Sequence, residues 1–372
     1  MAGADDKLFV TRPYLPPLQD LMPSLEAIWA SRNLTNGAAF HQRFEAELAD
    51  YLGVPHVCLF TNATVALVTS LQCLRITGEV ITTPYSFVAT AHSLLWNGVE
   101  PVFVDIEPGS LALDPARIEA AITPRTTAIM PVHVYGRPAD VEAIQRIADT
   151  YGLKVIYDAA HAFGARLGDR SLADFGDLSV LSFHATKVFN TFEGGAIICR
   201  DAKTKQRIDH LKNFGFVDEV TVVASGINGK MSEFNSALGL LQLEHIDACI
   251  DARRAVAERY DRAFADLPGI TVTAPVDGWS SNFSYYPIFV GRAHGTQRDA
   301  LYERFREAGI FVRRYFYPLI TDFPMYRGRP SAASAGLPVA RQKADEVLCL
   351  PIFPELGHAD QQRVIDIVKG SA

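Results

Sequence analysis

Short apolar runs rich in β-branched residues recur along the first two-thirds of the chain, and segments with helical periodicity separate most of them. Strands are predicted at residues 57–61, 80–83, 102–105, 127–132, 155–158, 180–183 and 196–199. Helices are predicted between them at residues 65–74, 87–96, 115–122 and 141–151. This alternation predicts an α/β fold with an open, mainly parallel seven-stranded sheet. Such sheets bind ligands beyond the carboxyl ends of their strands.

The flanking regions show a different pattern, in which helical periodicity dominates. Ahead of the first strand, helices are predicted at residues 25–31 and 40–52, with Pro23 and Ser24 as the entry to the first of them. After the sheet region, helices are predicted at residues 246–267 and 298–308, with a strand at 286–290. The chain therefore has enough elements for a large sheet domain and a smaller second one.

Composition and charge exclude several classes of protein. The 372 residues are 48% apolar and 21% charged, which is typical of globular proteins. A net charge of −7 with mixed signs argues against a nucleic-acid partner. With no signal peptide and no long apolar run, we expect a cytoplasmic protein without a membrane partner. Five scattered cysteines without CxxC spacing predict no metal site.

One lysine lies in an unusual position, the loop between the sixth and seventh predicted strands. Lys187 is flanked by Phe183, Val188 and Phe189, and a lysine removed from water has a lowered pKa. A partly deprotonated amine is a nucleophile toward aldehydes, so Lys187 is a candidate for a covalent bond to a carbonyl cofactor. The alternative is a loop lysine whose ammonium group reaches water.

A carboxylate and a histidine follow the fifth predicted strand. Asp158 at the end of a buried strand requires a cationic or hydrogen-bonding partner, and a protonated pyridine nitrogen would be one. The alternative is that Asp158 caps a following helix. His161 comes about one helical turn later and could touch the same ring, although a lone histidine is often structural.

Hydroxyl groups lie where a phosphate would be needed. Thr64 follows the first strand at the start of a helix, where free backbone N–H groups attract anions. Ser182 ends the sixth strand, and Phe87 follows the second, near a possible flat ring. The alternatives are Thr64 as a plain N-cap, Ser182 as a buried serine and a core position for the aromatic residues. Together the strand-end residues match the needs of pyridoxal 5'-phosphate (PLP).

Several segments resemble, in order, signatures of the DegT/StrS-type nucleotide-sugar aminotransferases. The matching segments are residues 62–67, 84–90, 158–165, 182–187, 193–196, 228–232, 237–243 and 348–352. The resemblance covers nearly the full chain. It implies an aspartate-aminotransferase-type fold, with a large PLP-binding domain at residues 1–245 and a small domain at residues 246–372.

The resemblance also implies roles for individual residues. Lys187 would bond to the cofactor aldehyde, Asp158 would meet the pyridine nitrogen, and the remaining cofactor contacts would be Ala63, Thr64, Phe87, His161 and Ser182. Asn228 resembles an asparagine that reaches the cofactor phosphate of the neighbouring subunit, which implies a homodimer with shared active sites. The sequence departs from the family pattern at Ala63, where glycine is usual, at His161, where glutamine is commoner, and at Lys230, where arginine is frequent.

The implied reaction is transamination of a nucleotide-linked keto-sugar with L-glutamate as amino donor. Candidates to bind the sugar nucleotide are Arg313, Arg314, Tyr315 and Tyr317. Residues 84–90 and 182–193 most resemble enzymes that aminate C4 of TDP-4-keto-6-deoxyglucose for surface polysaccharides such as the O-antigen of lipopolysaccharide. Alternatives are amination at C3 of a 3-keto isomer, a PLP-dependent sugar dehydratase and a non-catalytic PLP-binding regulator. Dehydratases of this type replace the lysine, which this chain keeps.

Overall fold

The computed structural model describes residues 7–370. Its helices are α1 (Leu18–Ser31), α2 (Ala39–Leu52), α3 (Ala63–Cys73), α4 (Ala89–Trp96), α5 (Val141–Tyr151), α6 (Ala202–Leu211), α7 (Glu233–Leu243), α8 (Ile246–Phe264), α9 (Arg298–Glu307), α10 (Pro338–Glu346) and α11 (His358–Lys369). Its strands are β1 (Leu8–Phe9), β2 (His56–Phe60), β3 (Glu79–Thr82), β4 (Glu100–Phe103), β5 (Thr126–Met130), β6 (Lys154–Asp158), β7 (Arg166–Leu167), β8 (Arg170–Ser171), β9 (Leu178–Ser182), β10 (Gly195–Cys199), β11 (Ile270–Val272), β12 (Trp279–Ser280), β13 (Tyr286–Val290), β14 (Ile310–Phe311) and β15 (Val347–Leu350).

The seven predicted strands form one sheet in the order β2-β10-β9-β6-β5-β3-β4. Neighbouring strands from β9 to β4 pair in parallel, whereas β10 is antiparallel to both β9 and β2. Every residue of β9 and β10 is buried, because apolar layers cover both faces of the sheet. The expected mainly parallel α/β fold is confirmed.

Helices α2 and α7 pack closely on one side of this sheet. Gly239 in α7 permits the approach, since a Cβ atom there would lie 2.5 Å from the ring of Phe44. Phe44 is itself fully buried and belongs to the apolar core that also holds Phe183 and Phe189. Phe183 and Phe189 lie on either side of Lys187 in the sequence. The packing of α2 against α7 therefore also supports the loop that carries Lys187.

The C-terminal part of the chain has its own apolar core. Strands β11, β13 and β15 form an antiparallel sheet, and α8, α9 and α11 pack around it. From the other end of the chain, β1 pairs in parallel with β14. The division into domains at residues 1–245 and 246–372 stays a prediction, and residues 1–6 and 371–372 of those ranges lie outside the described structure.

Two predicted elements differ from the structure. Helix α1 begins at Leu18, so Pro23 lies inside it and is not its entry. The helix persists because Leu21 and Ile28 pack on Ala237 and Leu238 of α7, which outweighs the lost backbone hydrogen bond. Residues 115–122 form two short 3₁₀ turns. Within residues 7–370 no helix has both the length and the apolarity to cross a bilayer.

Candidate active site

A cavity of about 320 Å³ opens at the carboxyl ends of the central strands. It brings together eight of the sequence-predicted residues, namely Ala63, Thr64, Phe87, Asp158, His161, Ser182, Lys187 and Tyr315. These residues come from the ends of β2, β3, β6 and β9, from the loop after β9, and from the segment before β15. The expectation that strand-end residues converge is therefore confirmed, because parallel strands present their carboxyl ends at one edge.

The loop that carries Lys187 joins two adjacent antiparallel strands, β9 and β10. The Phe183 N–H donates to the carbonyl oxygen of Gly194 at 2.9 Å, and the Lys187 N–H donates to that of His184 at 2.9 Å. Gly194 is required here because a Cβ atom would lie 2.2 Å from the Thr191 hydroxyl oxygen. The loop is thus a fixed turn that holds Lys187 at the cavity.

The Lys187 amine has no hydrogen-bond acceptor or ion-pair partner within residues 7–370. Burial lowers the pKa of Lys187 from 10.5 to about 8, and the nearby Asp158 carboxylate limits the fall. Its Nζ lies 6.0 Å from the centroid of the Tyr285 ring. The lowered pKa gives Lys187 a larger neutral fraction near physiological pH than an exposed lysine has, and the neutral amine is a nucleophile and a proton acceptor.

Asp158 ends β6 and is buried beneath the cavity. One carboxylate oxygen accepts a hydrogen bond from the Thr90 hydroxyl at 2.7 Å, and the other accepts from the Ala160 N–H at 3.1 Å. Burial raises the pKa of Asp158, while these hydrogen bonds and Lys187 oppose the rise. A turn follows Asp158 in place of an α-helix, so the alternative that it caps a helix is wrong.

The ring of His161 is held as a neutral hydrogen-bond donor. Its Nδ1 accepts from the Tyr135 N–H at 3.2 Å, which assigns the ring proton to Nε2. Burial lowers the pKa of His161, and the charge of Lys187 lowers it further. The ring lies parallel to that of Phe316 with centroids 5.9 Å apart, and Tyr285 meets its face edge-on. His161 therefore both packs in the wall and borders the cavity.

Another part of the cavity lining is suited to an anion. Helix α3 begins at Ala63, and within residues 7–370 no acceptor meets the N–H groups of Ala63 and Thr64. Asn62 caps this helix by accepting from the Val65 N–H at 2.9 Å, so the alternative that Thr64 is the N-cap is wrong. Ser182 adds a hydroxyl group nearby. Free N–H groups at a helix start favour negative charge.

The functional groups that line the cavity fit PLP. Gly195 lets the sheet approach the α3 terminus, since a Cβ there would lie 2.7 Å from the Ala63 nitrogen and intrude on the phosphate end. The same cavity holds the buried Asp158 carboxylate for a pyridinium nitrogen and the Lys187 amine for an aldehyde. Phe87 is 57% exposed at the cavity wall, where an aromatic face is available to a flat ring.

Four predicted residues lie outside this cavity. Arg314 pairs with Asp299 at 2.9 Å, the Tyr317 ring lies 4.3 Å from the guanidinium carbon of Arg298, and Arg313 exchanges backbone hydrogen bonds with Cys349. Asn228 forms a backbone bridge with Asn213. The structure therefore brings only Tyr315 of the predicted sugar-nucleotide residues to the cavity, and those roles stay predictions.

Several residues that the sequence analysis did not name as site residues contact Asp158, His161 or Lys187. Tyr285 and Phe316 enter the wall from the C-terminal part of the chain, and Thr90 holds Asp158 from α4. Thr90 lies within residues 84–90, one of the segments that resemble the family, and follows Phe87 by three residues. This position could have identified Thr90 as a site residue. Tyr285 directly precedes a predicted strand, but only the tertiary structure shows that it faces Lys187.

Comparisons with known proteins identify the family of this chain. A dTDP-4-amino-4,6-dideoxy-D-glucose transaminase of Escherichia coli is 52% identical over 366 residues, covering 98% of each chain. The structure of DesI, solved in the presence of its TDP-sugar product, matches with a TM-score of 0.94 and 38% identity, covering 99% of this chain and 94% of DesI.

A second solved structure, DesV of S. venezuelae in complex with a ketimine intermediate, matches with a TM-score of 0.89 and 29% identity. The match covers 97% of this chain and 98% of DesV. The sequence model of one family covers residues 19–369, nearly the whole chain. This chain therefore belongs to the DegT/DnrJ/EryC1/StrS aminotransferase family.

Proposed function

We propose that this chain is a PLP-dependent transaminase that transfers the amino group of L-glutamate to TDP-4-keto-6-deoxyglucose. The product is TDP-4-amino-4,6-dideoxyglucose, a precursor of surface polysaccharide such as O-antigen. The observation that carries the proposal is one cavity that holds the Lys187 amine, the buried Asp158 carboxylate and the free N–H groups of α3. The cytoplasmic location expected from the sequence stays a prediction.

Each of these groups has a distinct task. When bound, PLP supplies an aldehyde and a protonated ring that accepts electrons. Asp158 would keep a proton at the ring nitrogen of PLP, and the hydrogen bond from Thr90 fixes the orientation of the carboxylate. His161, with its proton on Nε2, would donate to the hydroxyl oxygen of the PLP ring. The N–H groups of Ala63 and Thr64, with Ser182, would bind the phosphate group.

Lys187 carries the proton transfers. Its pKa of about 8 leaves part of the amine neutral near pH 7, so Lys187 would hold the PLP aldehyde and would accept the proton from the carbon of the amino donor. Glutamate must leave as the keto acid before the keto-sugar enters, because both use the same lysine and the same cavity. Ping-pong kinetics are therefore expected.

The choice of C4 over C3 is supported by the Escherichia coli relative at 52% identity, whose name specifies a 4-amino sugar. The test offers the protein PLP, glutamate and either the 4-keto sugar nucleotide or its 3-keto isomer, with products identified by mass spectrometry and NMR. An amino sugar from the 4-keto substrate alone supports the proposal. Product from the 3-keto isomer alone would replace the substrate, and no product from either would favour the regulator alternative.

Two substitutions test the residue roles. Lys187→Ala should keep the fold and noncovalent PLP binding but lose turnover, and near-normal transamination would contradict the assignment. Asp158→Asn should also be severely impaired because an unprotonated ring accepts electrons poorly. Lys203→Ala, at an exposed position, is the matched control for the lysine. The retained Lys187 disfavours a dehydratase, which the product analysis also tests.

A homodimer with shared sites is part of the proposal. The segment before Asn228 exposes a group of large apolar side chains, namely Phe214, Phe216, Val217, Val220, Val222, Val223 and Ile227. A patch of this kind is typical of a protein interface. If a second copy of the chain covered this patch, Asn228 would lie close to the other subunit.

Mixed dimers test this arrangement. Lys187→Ala and Asn228→Ala copies, each inactive or impaired, should together recover about a quarter of wild-type activity, because half of the random dimers carry one intact site. Simple addition of the two separate activities would mean that Asn228 serves its own subunit. Light scattering of the wild-type protein gives the subunit number.

A further inference from the structure

A second cavity of about 400 Å³ lies behind the wall of the candidate active site. Tyr285 borders both cavities, and Tyr135, whose N–H holds His161, lines the second one. The remaining wall comes from α8 and from residues 273–287, so the cavity lies between the sheet region and the C-terminal elements. Its volume is within the range of small-molecule sites.

This cavity is lined by a buried cation, Arg137, that forms no ion pair within residues 7–370. The Glu107 carboxylate acts on the charge of Arg137 without bonding to it. The Asp261 carboxylate also lines the cavity, where it accepts a hydrogen bond from the Tyr286 hydroxyl at 2.7 Å. Arg137 is 2% exposed, and its Nη2 donates only to the carbonyl oxygens of Ala274, at 2.7 Å, and Gly109, at 3.3 Å. Its Nε has no partner in the described structure, nor does Arg137 form an ion pair within residues 7–370. A buried guanidinium without a directly bonded carboxylate is costly. An anion in the cavity would supply the missing partner.

Aromatic side chains form the other walls. The guanidinium carbon of Arg137 lies 5.0 Å from the centroid of the Trp279 ring, and that of Arg254 lies 5.9 Å from the Phe283 ring. Trp279 is held in place by donating from Nε1 to the Gly136 carbonyl oxygen at 3.0 Å. Cations beside aromatic faces suit a ligand that is both planar and anionic.

The same segment connects this cavity to the candidate active site. Asn282, which is fully buried, donates from Nδ2 to the carbonyl oxygens of His161 at 2.7 Å and Phe163 at 2.8 Å. Three residues later, Tyr285 packs edge-on against the His161 ring with centroids 5.0 Å apart. A ligand that moves residues 279–285 therefore moves two contacts of His161.

We propose that this cavity is an effector site for a small planar anion, an aromatic carboxylate or a nucleoside monophosphate, whose binding alters the position of His161 through Asn282 and Tyr285. The proposal goes beyond transamination and does not depend on which sugar is the substrate. In this proposal Arg137 binds the anionic group of the ligand, and Trp279 and Phe283 contact its ring.

Calorimetric titration of the purified protein tests the site with two probes, thymidine 5'-monophosphate and 4-hydroxybenzoate, and with uncharged thymidine as a control. At least one anion should bind with one site per chain, and thymidine should not. Arg137→Leu should weaken this binding about tenfold or more, as expected for a lost charge-assisted hydrogen bond. Arg292→Leu, at an exposed arginine outside the cavity, should leave it unchanged.

Because Arg137 also supports the fold, Val276→Trp provides a second variant that fills the cavity from its edge. It should abolish binding while both variants keep the wild-type circular dichroism. Hydrogen exchange should show that the probe protects residues 279–285 and 158–165 together. Failure of both anions to bind, or binding that survives Val276→Trp at full strength, would overturn the proposal. Such failure leaves transamination untouched, so the two proposals are tested separately.

Discussion

Lys187 is expected to destabilise the cofactor-free protein. The fall in its pKa from 10.5 to about 8 corresponds to about 3 kcal/mol, at about 1.4 kcal/mol for each tenfold change in proton affinity. Water in the open cavity reduces this cost, and Asp158 would lose a cationic neighbour if the lysine were removed. We therefore expect Lys187→Met to raise the free energy of unfolding by about 2 kcal/mol at pH 7.

The pH dependence of this gain follows from proton linkage. Below pH 8 the lysine is charged in both the folded and the unfolded chain, so the folded state bears the whole cost. Between pH 8 and pH 10.5 the unfolded chain binds more protons, so the wild-type protein becomes more stable relative to the variant as pH rises. The advantage of Lys187→Met should therefore shrink across this window.

Urea denaturation of the cofactor-free proteins measures this effect, at one protein concentration and at several pH values between neutral and alkaline. Lys203→Met, at an exposed position in α6, is the matched control and should not reproduce the pH-dependent gain. If Lys187→Met were no more stable than wild type at pH 7, or if its gain were constant with pH, the lowered pKa would be wrong. The role of Lys187 as an amine that is partly neutral near pH 7 would then lack its physical basis.

Two further predictions concern the scaffold, and urea denaturation measures both. Asp105 is buried, and its carboxylate accepts from the first N–H groups of α10 at 2.9 and 2.8 Å, so Asp105→Ala should cost about 2 to 3 kcal/mol. Asp114→Ala, which removes the cap of a short 3₁₀ turn, should cost less, and equal losses would contradict the reasoning. Gly239→Ala should cost about 1 to 3 kcal/mol because its Cβ would meet the buried ring of Phe44 at 2.5 Å. Gly336→Ala has open space around it and should be nearly neutral, so a wild-type-like Gly239→Ala would refute the close packing of α2 and α7.

The strands of the seven-stranded sheet could be predicted from sequence because most of their residues are buried, so each reads as a short run rich in apolar residues. Only β4 alternates between buried and half-buried positions. The pairing of these strands could not be predicted in the same way. The order β2-β10-β9-β6-β5-β3-β4 and the reversed direction of β10 depend on contacts between residues far apart in the chain. Helix α1 shows the same limit, since its packing on α7 overrides the local signal of Pro23.

The candidate site was likewise predictable from the sequence only in part. Lys187, Asp158, Thr64 and Ser182 were predictable because each lies at a strand end or in the loop that follows, where the topology of a parallel sheet brings ligands. The alternative interpretation of Thr64, as the N-cap of α3, is wrong because Asn62 makes the capping hydrogen bond. Both are good caps, and only the backbone path decides which side chain reaches the free N–H groups.

The sequence by itself determined the type of fold and the chemical groups that the sheet presents, since burial and strand ends are local properties of the chain. Only the tertiary structure decided what surrounds those groups. Tyr285 stands beside Lys187 and His161 from more than 90 residues away in the sequence, and Thr90 orients Asp158 from a separate helix. The pKa values of Lys187 and Asp158 depend on these surroundings, because burial and neighbouring charge act through space and not along the chain.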